Sequence, residues 1–259
     1  MKFDKISSKD NEKIKLVSKL IKSSKYRETN GLFVIEGARL CLDAFKSGIV
    51  IKWLMFTESG IEKYKSYVEE ILQNTVGNYL LTDSVFNKIS DTENTQGVLC
   101  VCEIPEHNIS INMSGRYAAI ENISNPLNLG AISRTAEALG LDGLILIGHN
   151  CDCYCEKSLR ASMGSLFRLD IINLDYEDIS MLKSNGLKFI ASVVDEKANS
   201  ITDYDFTDGT VLIIGNEGNG VSEQLKGLCN DLVTIPIKGK AESFNASAAA
   251  AILFWEFVK

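Results

Sequence analysis

The sequence contains no hydrophobic run that is long enough to cross a membrane. Its longest apolar stretch, residues 248–255, is eight residues long and is followed by Glu256, whereas a membrane-spanning helix needs about 20 apolar residues. The first residues, MKFDKISSKDNEK, include no apolar segment of the kind found in signal peptides. We therefore expect a cytoplasmic protein that has no membrane partner.

Proline and histidine are also scarce, and the cysteines form no recognisable framework. Three prolines exclude a Pro-rich or collagen-like chain, and the only histidines are His107 and His149. Seven cysteines, an odd number in a chain of 259 residues, favour reduced thiols over disulfides. The cluster of Cys151, Cys153 and Cys155 lacks the usual zinc-site spacing, so we favour a chance group of thiols over structural zinc and predict no metal.

Acidic residues outnumber basic ones, but the two signs are unevenly distributed. The net charge is −7, yet residues 1–30 carry nine Lys or Arg against four Asp or Glu. A helix predicted over residues 8–24 has apolar residues at helical spacing and lysines on its other face. Any positive field is therefore expected at the amino end of the chain.

Short apolar runs alternate with helical patterns in both halves of the chain. Strands are predicted at 32–36, 51–56, 97–104, 117–122, 143–148, 187–194, 210–215 and 232–237. Helices are predicted at 37–48, 61–73, 129–139, 157–163, 177–184, 221–228 and 243–258. This alternation predicts an α/β fold, with a mostly parallel sheet in the second half. The polar, turn-rich segment near residue 106 predicts a domain at 1–105, a linker at 106–115 and a domain at 116–259.

The first loop of chemical interest follows the strand predicted at 117–122. Ligands of open α/β sheets bind at the carboxyl ends of strands, which is where this loop lies. Asn125-Pro126 turns the chain, and Asn128 is predicted to cap the next helix. Arg134 would then lie less than two turns inside that helix, where it can reach a phosphate or a reacting hydroxyl. A helix cap with a surface arginine is an equally good interpretation of this segment alone.

Two further loops have unusual composition. The segment Gly215-Asn-Glu-Gly-Asn-Gly220 lets backbone N–H groups face a ligand, although it is neither a P-loop nor a dinucleotide-binding pattern. A tight turn is the alternative, but the carboxylate of Glu217 favours function. In the third loop, Ser243 or Asn245 is predicted to cap an Ala-rich terminal helix, which alone indicates only a structural role.

Taken together and in order, segments 125–140, 213–222 and 235–251 resemble the three motifs of the SpoU/TrmH ribose 2′-O-methyltransferases of the SPOUT superfamily. Residues 160–168 resemble another segment of that family, and residues 27–103 resemble its amino-terminal RNA-binding domain. The resemblance implies a deep trefoil knot in the carboxy-terminal domain, which general topology rules disfavour. It also implies S-adenosylmethionine bound between the last two motif loops, and a homodimer.

The resemblance further implies roles for individual residues. The polar catalytic positions of the family correspond to Asn128, Arg134, Glu217, Ser243 and Asn245. The cofactor-binding positions correspond to Gly215, Asn216, Gly220, Ile235, Ile237 and Phe244. Phe244 replaces the usual leucine and keeps an apolar wall, whereas Asn125 replaces a frequent aspartate and is assigned no catalytic role.

The implied activity is methyl transfer from S-adenosylmethionine to a ribose 2′-OH in structured RNA. The separate amino-terminal domain favours ribosomal RNA over transfer RNA, and DNA is not an expected partner. The alternatives are a transfer RNA ribose methyltransferase, a base-directed enzyme and a non-catalytic RNA-binding or assembly module. The helix at 8–24, with Lys25 and Arg27, is the candidate RNA contact. Because arginine normally stays protonated, we favour positioning and charge stabilisation over a base as the role of Arg134.

Overall fold

A computed structural model describes residues 3–90, 92, 94–106 and 111–259, so His107 lies outside the described residues. The chain forms two compact units. The first comprises the residues up to Glu106 together with Tyr154–Arg160, and the second comprises the rest. The boundaries 1–105, 106–115 and 116–259 stay a prediction, because the linker is described only in part.

The first unit contains a five-stranded mixed sheet with the strand order β1-β4-β3-β5-β2. Its strands are β1 (Asp4–Ile6), β2 (Leu32–Glu36), β3 (Ile51–Phe56), β4 (Gly77–Leu81) and β5 (Val98–Glu103). Its helices are α1 (Glu12–Lys22), α2 (Ser24–Asn30), α3 (Ala38–Lys46), α4 (Glu58–Lys63), α5 (Lys65–Asn74) and α6 (Asp83–Ile89). The β1–β4 and β3–β4 pairs are parallel, whereas β5 is antiparallel to both β2 and β3. The apolar face of α1 is buried in the core of this unit.

Two predicted helices of this unit are divided in the structure. The helix predicted at 8–24 ends at Lys22, because Ser23 has an extended backbone and its Oγ accepts a hydrogen bond from the Tyr26 backbone at 3.2 Å, which starts α2. The helix predicted at 61–73 is interrupted at Tyr64. β1, β4 and α6 were not predicted at all.

The assignment of Arg27 to an RNA-binding surface is wrong. Only 5% of this residue is exposed, and its guanidinium donates to the backbone carbonyls of Leu20 (2.5 Å) and Ile21 (3.1 Å). These carbonyls lie in the last turn of α1, where backbone acceptors lack helical partners. Arg27 therefore stabilises the end of α1 and is not available to a ligand.

The second unit contains a seven-stranded sheet in which every neighbouring pair is parallel. Its strands are β6 (Arg116–Glu121), β7 (Gly143–Ile147), β8 (Ile171–Leu174), β9 (Lys188–Ser192), β10 (Asn199–Ser200), β11 (Thr210–Ile214) and β12 (Asp231–Thr234), in the order β10-β12-β9-β11-β6-β7-β8. The remaining helices of the chain are α7 (Pro126–Ala138), α8 (Glu156–Ser162), α9 (Tyr176–Ser184), α10 (Glu223–Leu228) and α11 (Ala246–Val258), with a 3-10 turn at Ser165–Phe167. The predicted α/β fold and parallel sheet are confirmed, and the trefoil knot stays a prediction.

Local chemistry explains where the predicted boundaries of this unit were wrong. Asn125, not Asn128, caps α7: its Oδ1 accepts from the Leu127 backbone N–H at 2.9 Å, and Pro126 opens the helix. Asn128 therefore lies in the first turn, and Arg134 lies more than two turns inside. The strand predicted at 232–237 ends at Thr234, since Pro236 has no N–H to continue a ladder. β8 and β10 were not predicted.

No helix among the described residues combines the length and the apolar composition that crossing a bilayer requires.

Candidate active site

The carboxyl ends of β9, β11 and β12 open onto a cleft of about 170 Å³. β9 lies between β11 and β12 in the sheet, so the three strand ends meet at one edge, as ligand sites of open parallel sheets do. The cleft is lined by all six residues predicted to bind a cofactor, namely Gly215, Asn216, Gly220, Ile235, Ile237 and Phe244. Glu217 and Ser243, two of the predicted catalytic residues, also line it.

The glycine-rich loop after β11 folds tightly back on itself. The Asn216 N–H donates to the Gly220 carbonyl at 3.0 Å, and the Gly220 N–H returns a bond to the Asn216 carbonyl at 2.9 Å. A Cβ on Gly215 would lie 2.1 Å from the Gly220 carbonyl carbon, and Gly220 has a φ of +67°. Gly215 has no room for a side chain, and Gly220 adopts a backbone conformation that favours glycine, so the loop presents a backbone surface to the cleft.

The rest of the cleft is largely apolar. Ile235, Ile237 and Phe244 come from the loop between β12 and α11, and Phe244 is 43% exposed. Ser192 at the end of β9 and the following Val193 and Val194 also line the cleft, and the sequence did not identify them as site residues. Their position at the end of a predicted strand was the available signal, but Val193 and Val194 look like ordinary strand residues.

Three predicted catalytic residues from separate segments, the first turn of α7, the glycine-rich loop and the N-cap of α11, form one hydrogen-bonded chain. The Asn245 Nδ2 donates to Asn128 Oδ1 at 3.2 Å, and the Asn128 Nδ2 donates to Glu217 Oε1 at 3.0 Å. Glu217 also accepts from the backbone N–H groups of Ser124 (3.2 Å) and Asn125 (3.1 Å). A carboxylate can only accept hydrogen bonds, so Asn128 must turn its NH₂ toward Glu217. The Asn128 oxygen then faces Asn245, which must turn its own NH₂ toward Asn128. Each amide keeps one N–H outside these bonds, so Asn128 and Asn245 can act as donors toward a ligand.

The hydrogen bonds to Glu217 also control its protonation. Partial burial raises the pKa of this carboxyl, but the bonds from the Asn128 amide and from backbone N–H groups, including those of Ser124 and Asn125, outweigh that effect and lower the pKa to about 2. Glu217 is therefore ionised at neutral pH. An efficient general base has a pKa near the working pH, so this side chain is suited to orienting its partners and not to accepting a proton.

The other two predicted catalytic residues stand apart from this chain. Ser243 lines the cleft, but within the described part of the protein it makes no hydrogen bond to Asn128, Glu217 or Asn245. Arg134 is exposed on α7, and no described residue pairs with its guanidinium. The structure thus joins three of the five residues and adds Ser243 at the cleft, while the Arg134 guanidinium has no partner in the part of the chain that the structure describes.

The cysteine cluster shows no metal-site geometry in the residues that the structure covers, where no three His, Cys, Asp or Glu side chains converge. Cys153 is buried, and the Cys155 Sγ lies 3.3 Å from the Ser158 hydroxyl. The expectation that no metal is bound stays a prediction.

Comparison with known proteins identifies the family. The family model described as SpoU rRNA Methylase matches residues 115–255, more than half of the chain. The 23S rRNA (guanosine(2553)-2′-O)-methyltransferase RlmP of Bacillus subtilis (strain 168) is 30% identical over 251 residues, which cover 96% of this chain and 97% of the relative. The chain belongs to the SpoU rRNA methylase family. A second family model, the MRM3-like substrate binding domain, matches residues 11–100.

Two solved structures of similar proteins include the cofactor. The SpoU methyltransferase AviRb from Streptomyces viridochromogenes, in complex with S-adenosylmethionine (AdoMet), has a TM-score of 0.85 at 28% identity and covers 96% of this chain and 97% of its own. An AdoMet-bound rRNA methyltransferase from Sinorhizobium meliloti has a TM-score of 0.84 at 27% identity and covers 98% and 97%. These findings confirm the predicted family, the fold class and the enzyme class, an AdoMet-dependent RNA 2′-O-methyltransferase.

The cleft of this chain fits that cofactor. Its apolar side chains, Ile235, Ile237 and Phe244, provide surface for an adenine ring. Because Gly215 has no Cβ, the backbone at Gly220 can pack against it and form one wall of the cleft. The polar backbone groups of this wall would hydrogen-bond to the ribose and the methionine part of the cofactor. The six predicted cofactor-binding residues therefore surround one cleft of suitable chemistry.

Proposed function

We propose that this protein transfers a methyl group from AdoMet to a ribose 2′-OH of ribosomal RNA. The observation that carries the proposal is the juxtaposition of a backbone-lined apolar cleft with the chain of Asn245, Asn128 and Glu217. The cleft supplies a place for the cofactor, and the amide chain supplies oriented donors beside it. A protein that only binds RNA needs neither.

The names of the relatives support ribosomal RNA as the substrate. RlmP is a 23S rRNA methyltransferase, and so is the Streptomyces viridochromogenes 23S rRNA (uridine(2479)-2′-O)-methyltransferase, which is 30% identical over 244 residues and covers 90% of this chain and 84% of its own. A substrate-binding domain in residues 11–100 also favours a large structured RNA. Transfer RNA is the second candidate substrate, and the experiment below separates the two.

The chemistry assigns limited but distinct tasks to the side chains. AdoMet supplies an electrophilic methyl group on a sulfonium. The ribose oxygen forms the new C–O bond as the C–S bond breaks, and the hydroxyl proton leaves to solvent. Arg134 is free to hold the adjacent phosphate and to stabilise charge that develops on the oxygen. Glu217 fixes the amides of Asn128 and Asn245, whose remaining N–H groups orient the ribose or the cofactor, while Ser243 shapes the pocket.

The basic face of α1 is the proposed RNA contact of the first unit. Lys15, Lys19, Lys22 and the neighbouring Lys25 are exposed, whereas the opposite face of α1 is buried. Deleting this segment would also remove core residues, so charge substitution is the sharper test. We expect a triple Lys→Glu variant at 15, 19 and 22 to lose RNA affinity steeply, because each lost phosphate contact lowers binding and its salt dependence, while AdoMet affinity stays unchanged.

An exposed apolar surface on the second unit supports the proposed homodimer. α7 and α11 pack against each other, and their outer faces carry Leu127, 55% exposed, and Trp255, 59% exposed. Ala248 and Ala251 are also exposed, share a helical face of α11 with Trp255 by their spacing, and permit close approach. A second copy of the chain fits such a small-residue apolar face.

The proposed substrate also assigns the protein to the cytoplasm.

The test is to incubate the purified protein with methyl-labelled AdoMet and unmodified total bacterial RNA, and to separate the RNA by size. The proposal predicts label in ribosomal RNA. Label in transfer RNA alone would overturn the substrate and keep the chemistry. No labelled RNA, together with no AdoMet binding in calorimetry, would overturn the activity in favour of an RNA-binding module.

A further inference from the structure

A buried carboxylate lies at the end of β6 and belongs to none of the residues assigned above. Glu121 is 0% exposed. Its Oε2 accepts from the Ser222 backbone N–H at 2.7 Å, and its Oε1 accepts from the Ser222 hydroxyl at 2.5 Å. The Tyr176 hydroxyl donates to the same Oε1 at 3.1 Å. Both oxygens of Glu121 are therefore directed at Ser222.

Packing of the sheet does not explain a carboxylate at this position. A buried acidic side chain is costly unless it is fully hydrogen-bonded, and an apolar residue would serve the end of a buried strand as well. Within the described residues, the hydrogen-bond partners of Glu121 are a backbone N–H and two hydroxyls, with no basic side chain among them. The bonds to Ser222 are thus the specific consequence of having glutamate here.

Ser222 is the point at which the glycine-rich loop ends. The peptide between Gly220 and Val221 is the backbone that approaches Gly215. A Cβ added to Gly215 would lie 2.1 Å from the Gly220 carbonyl carbon and 2.2 Å from the Val221 nitrogen. At its other end the loop is tied by the Asn216 Nδ2, which donates to the Asn122 carbonyl at 2.8 Å. A fixed Ser222 therefore holds the wall of the cleft in place from its carboxyl side.

We propose that Glu121 is a positioning residue for the cofactor: through Ser222 it fixes the Gly215–Gly220 wall against which AdoMet binds. The inference rests on the proposed function of the cleft. Glu121 is not proposed to contact RNA. Its replacement should therefore change the affinity for AdoMet and leave the KM for RNA unchanged.

The test measures AdoMet affinity by calorimetry on the purified full-length protein, with thermal melting to verify folding. Glu121→Ala removes both bonds to Ser222, and we expect an increase of about tenfold or more in the Kd for AdoMet. Glu121→Gln keeps an oxygen for the Ser222 N–H and is expected to recover most of the affinity. Glu223→Gln is the matched control, since Glu223 is exposed and, among the described residues, pairs with Lys226 alone on the surface of α10.

A double-mutant cycle distinguishes positioning through Ser222 from general destabilisation. Ser222→Ala removes the hydroxyl bond to Glu121 and the cap that the Ser222 Oγ provides to the Leu225 N–H, but it keeps the Ser222 N–H bond to Glu121. We therefore expect it to weaken AdoMet binding less than Glu121→Ala does, and to have a much smaller effect once Glu121 is alanine than in the wild-type background. The inference would be overturned if the two substitutions raised the Kd for AdoMet independently, so that their fold-changes multiplied in the double variant. It would also be overturned if a folded Glu121→Ala protein bound AdoMet with wild-type affinity. If Glu121→Ala does not fold, Glu121→Leu takes its place, because leucine fills the site and accepts from neither the N–H nor the hydroxyl of Ser222. Wild-type AdoMet affinity in that variant overturns the inference equally. A wild-type protein that binds no AdoMet would instead contradict the proposed function itself.

Discussion

Replacing Glu217 with glutamine should separate orientation from packing at the active site. The two carboxylate oxygens accept from the backbone N–H groups of Ser124 (3.2 Å) and Asn125 (3.1 Å) and from the Asn128 amide (3.0 Å). A glutamine has the same size but replaces one oxygen with NH₂. In either orientation its NH₂ faces a backbone N–H, which cannot accept a hydrogen bond. If the glutamine oxygen faces Asn128, its NH₂ meets the Ser124 N–H, and if it is turned the other way, the NH₂ meets the Asn125 N–H and the Asn128 amide. Either orientation loses the charge and one of the paired acceptors that hold Asn128, and through it Asn245, in place.

The expected cost in stability is modest. Lowering the pKa of Glu217 from its ordinary value of 4.5 to about 2 corresponds at full weight to roughly 3 kcal/mol, which we reduce to about 1 kcal/mol because the residue is exposed to solvent. This contribution is present above about pH 4.5 and is lost as the pH falls through about 2. Glu217→Gln should therefore lower the melting temperature by only about 2–4 °C at neutral pH, and the difference from wild type should shrink toward pH 2.

The expected cost in activity is much larger. Loss of one oriented donor at a reacting centre typically lowers the rate by about 10²–10³-fold, and we expect a fall of that size in single-turnover methylation at saturating AdoMet. Glu223→Gln, which alters an exposed surface carboxylate on α10, should leave both the rate and the melting temperature unchanged. A Glu217→Gln rate within about threefold of wild type would refute the orienting role.

Three further substitutions test other parts of the site. Arg134→Lys keeps the positive charge but loses the planar guanidinium with its paired donors. Turnover should therefore fall about 10²-fold while the affinity for AdoMet stays unchanged. Near-normal turnover would contradict a role that depends on the geometry of the guanidinium. Gly215→Ala forces a Cβ to within 2.1 Å of the Gly220 carbonyl carbon and should cost about 1–3 kcal/mol of stability and most AdoMet affinity in calorimetry. Gly227→Ala, which has open space around it, is its control. Trp255→Asp should convert a dimer to a monomer in sedimentation, and an unchanged mass would contradict the proposed interface.

The sequence predicted the elements whose apolar pattern is long and unambiguous. β11, with all five residues buried, and the alternation of strands and helices around it follow directly from composition. β10 has two residues and β1 three, too few for a pattern to form. The break at Ser23 depends on a hydrogen bond to the Tyr26 backbone, an interaction that helical periodicity does not reveal.

The candidate site was predictable in composition but not in connectivity. The motifs located Asn128, Glu217 and Asn245, yet only the folded loops show that these residues form one hydrogen-bonded chain. Asn128 was predicted to cap the helix because the preceding Asn125-Pro126 was interpreted as a turn, whereas Pro126 opens the helix. Arg27 was interpreted as a surface cation because sequence spacing does not show that its guanidinium folds back onto the end of α1.

The chemical nature of the methylated group is the most direct test of the proposed activity. RNA labelled by the protein from methyl-labelled AdoMet should be hydrolysed completely with alkali and separated by size and charge. Since alkali cleavage requires a free 2′-OH, a ribose methyl group leaves the label in an alkali-resistant dinucleotide. We predict that result, with the initial rate of labelling lowered about 10²-fold or more by Glu217→Gln. Label recovered in single nucleotides would show methylation of a base and would contradict the proposed role of the active site.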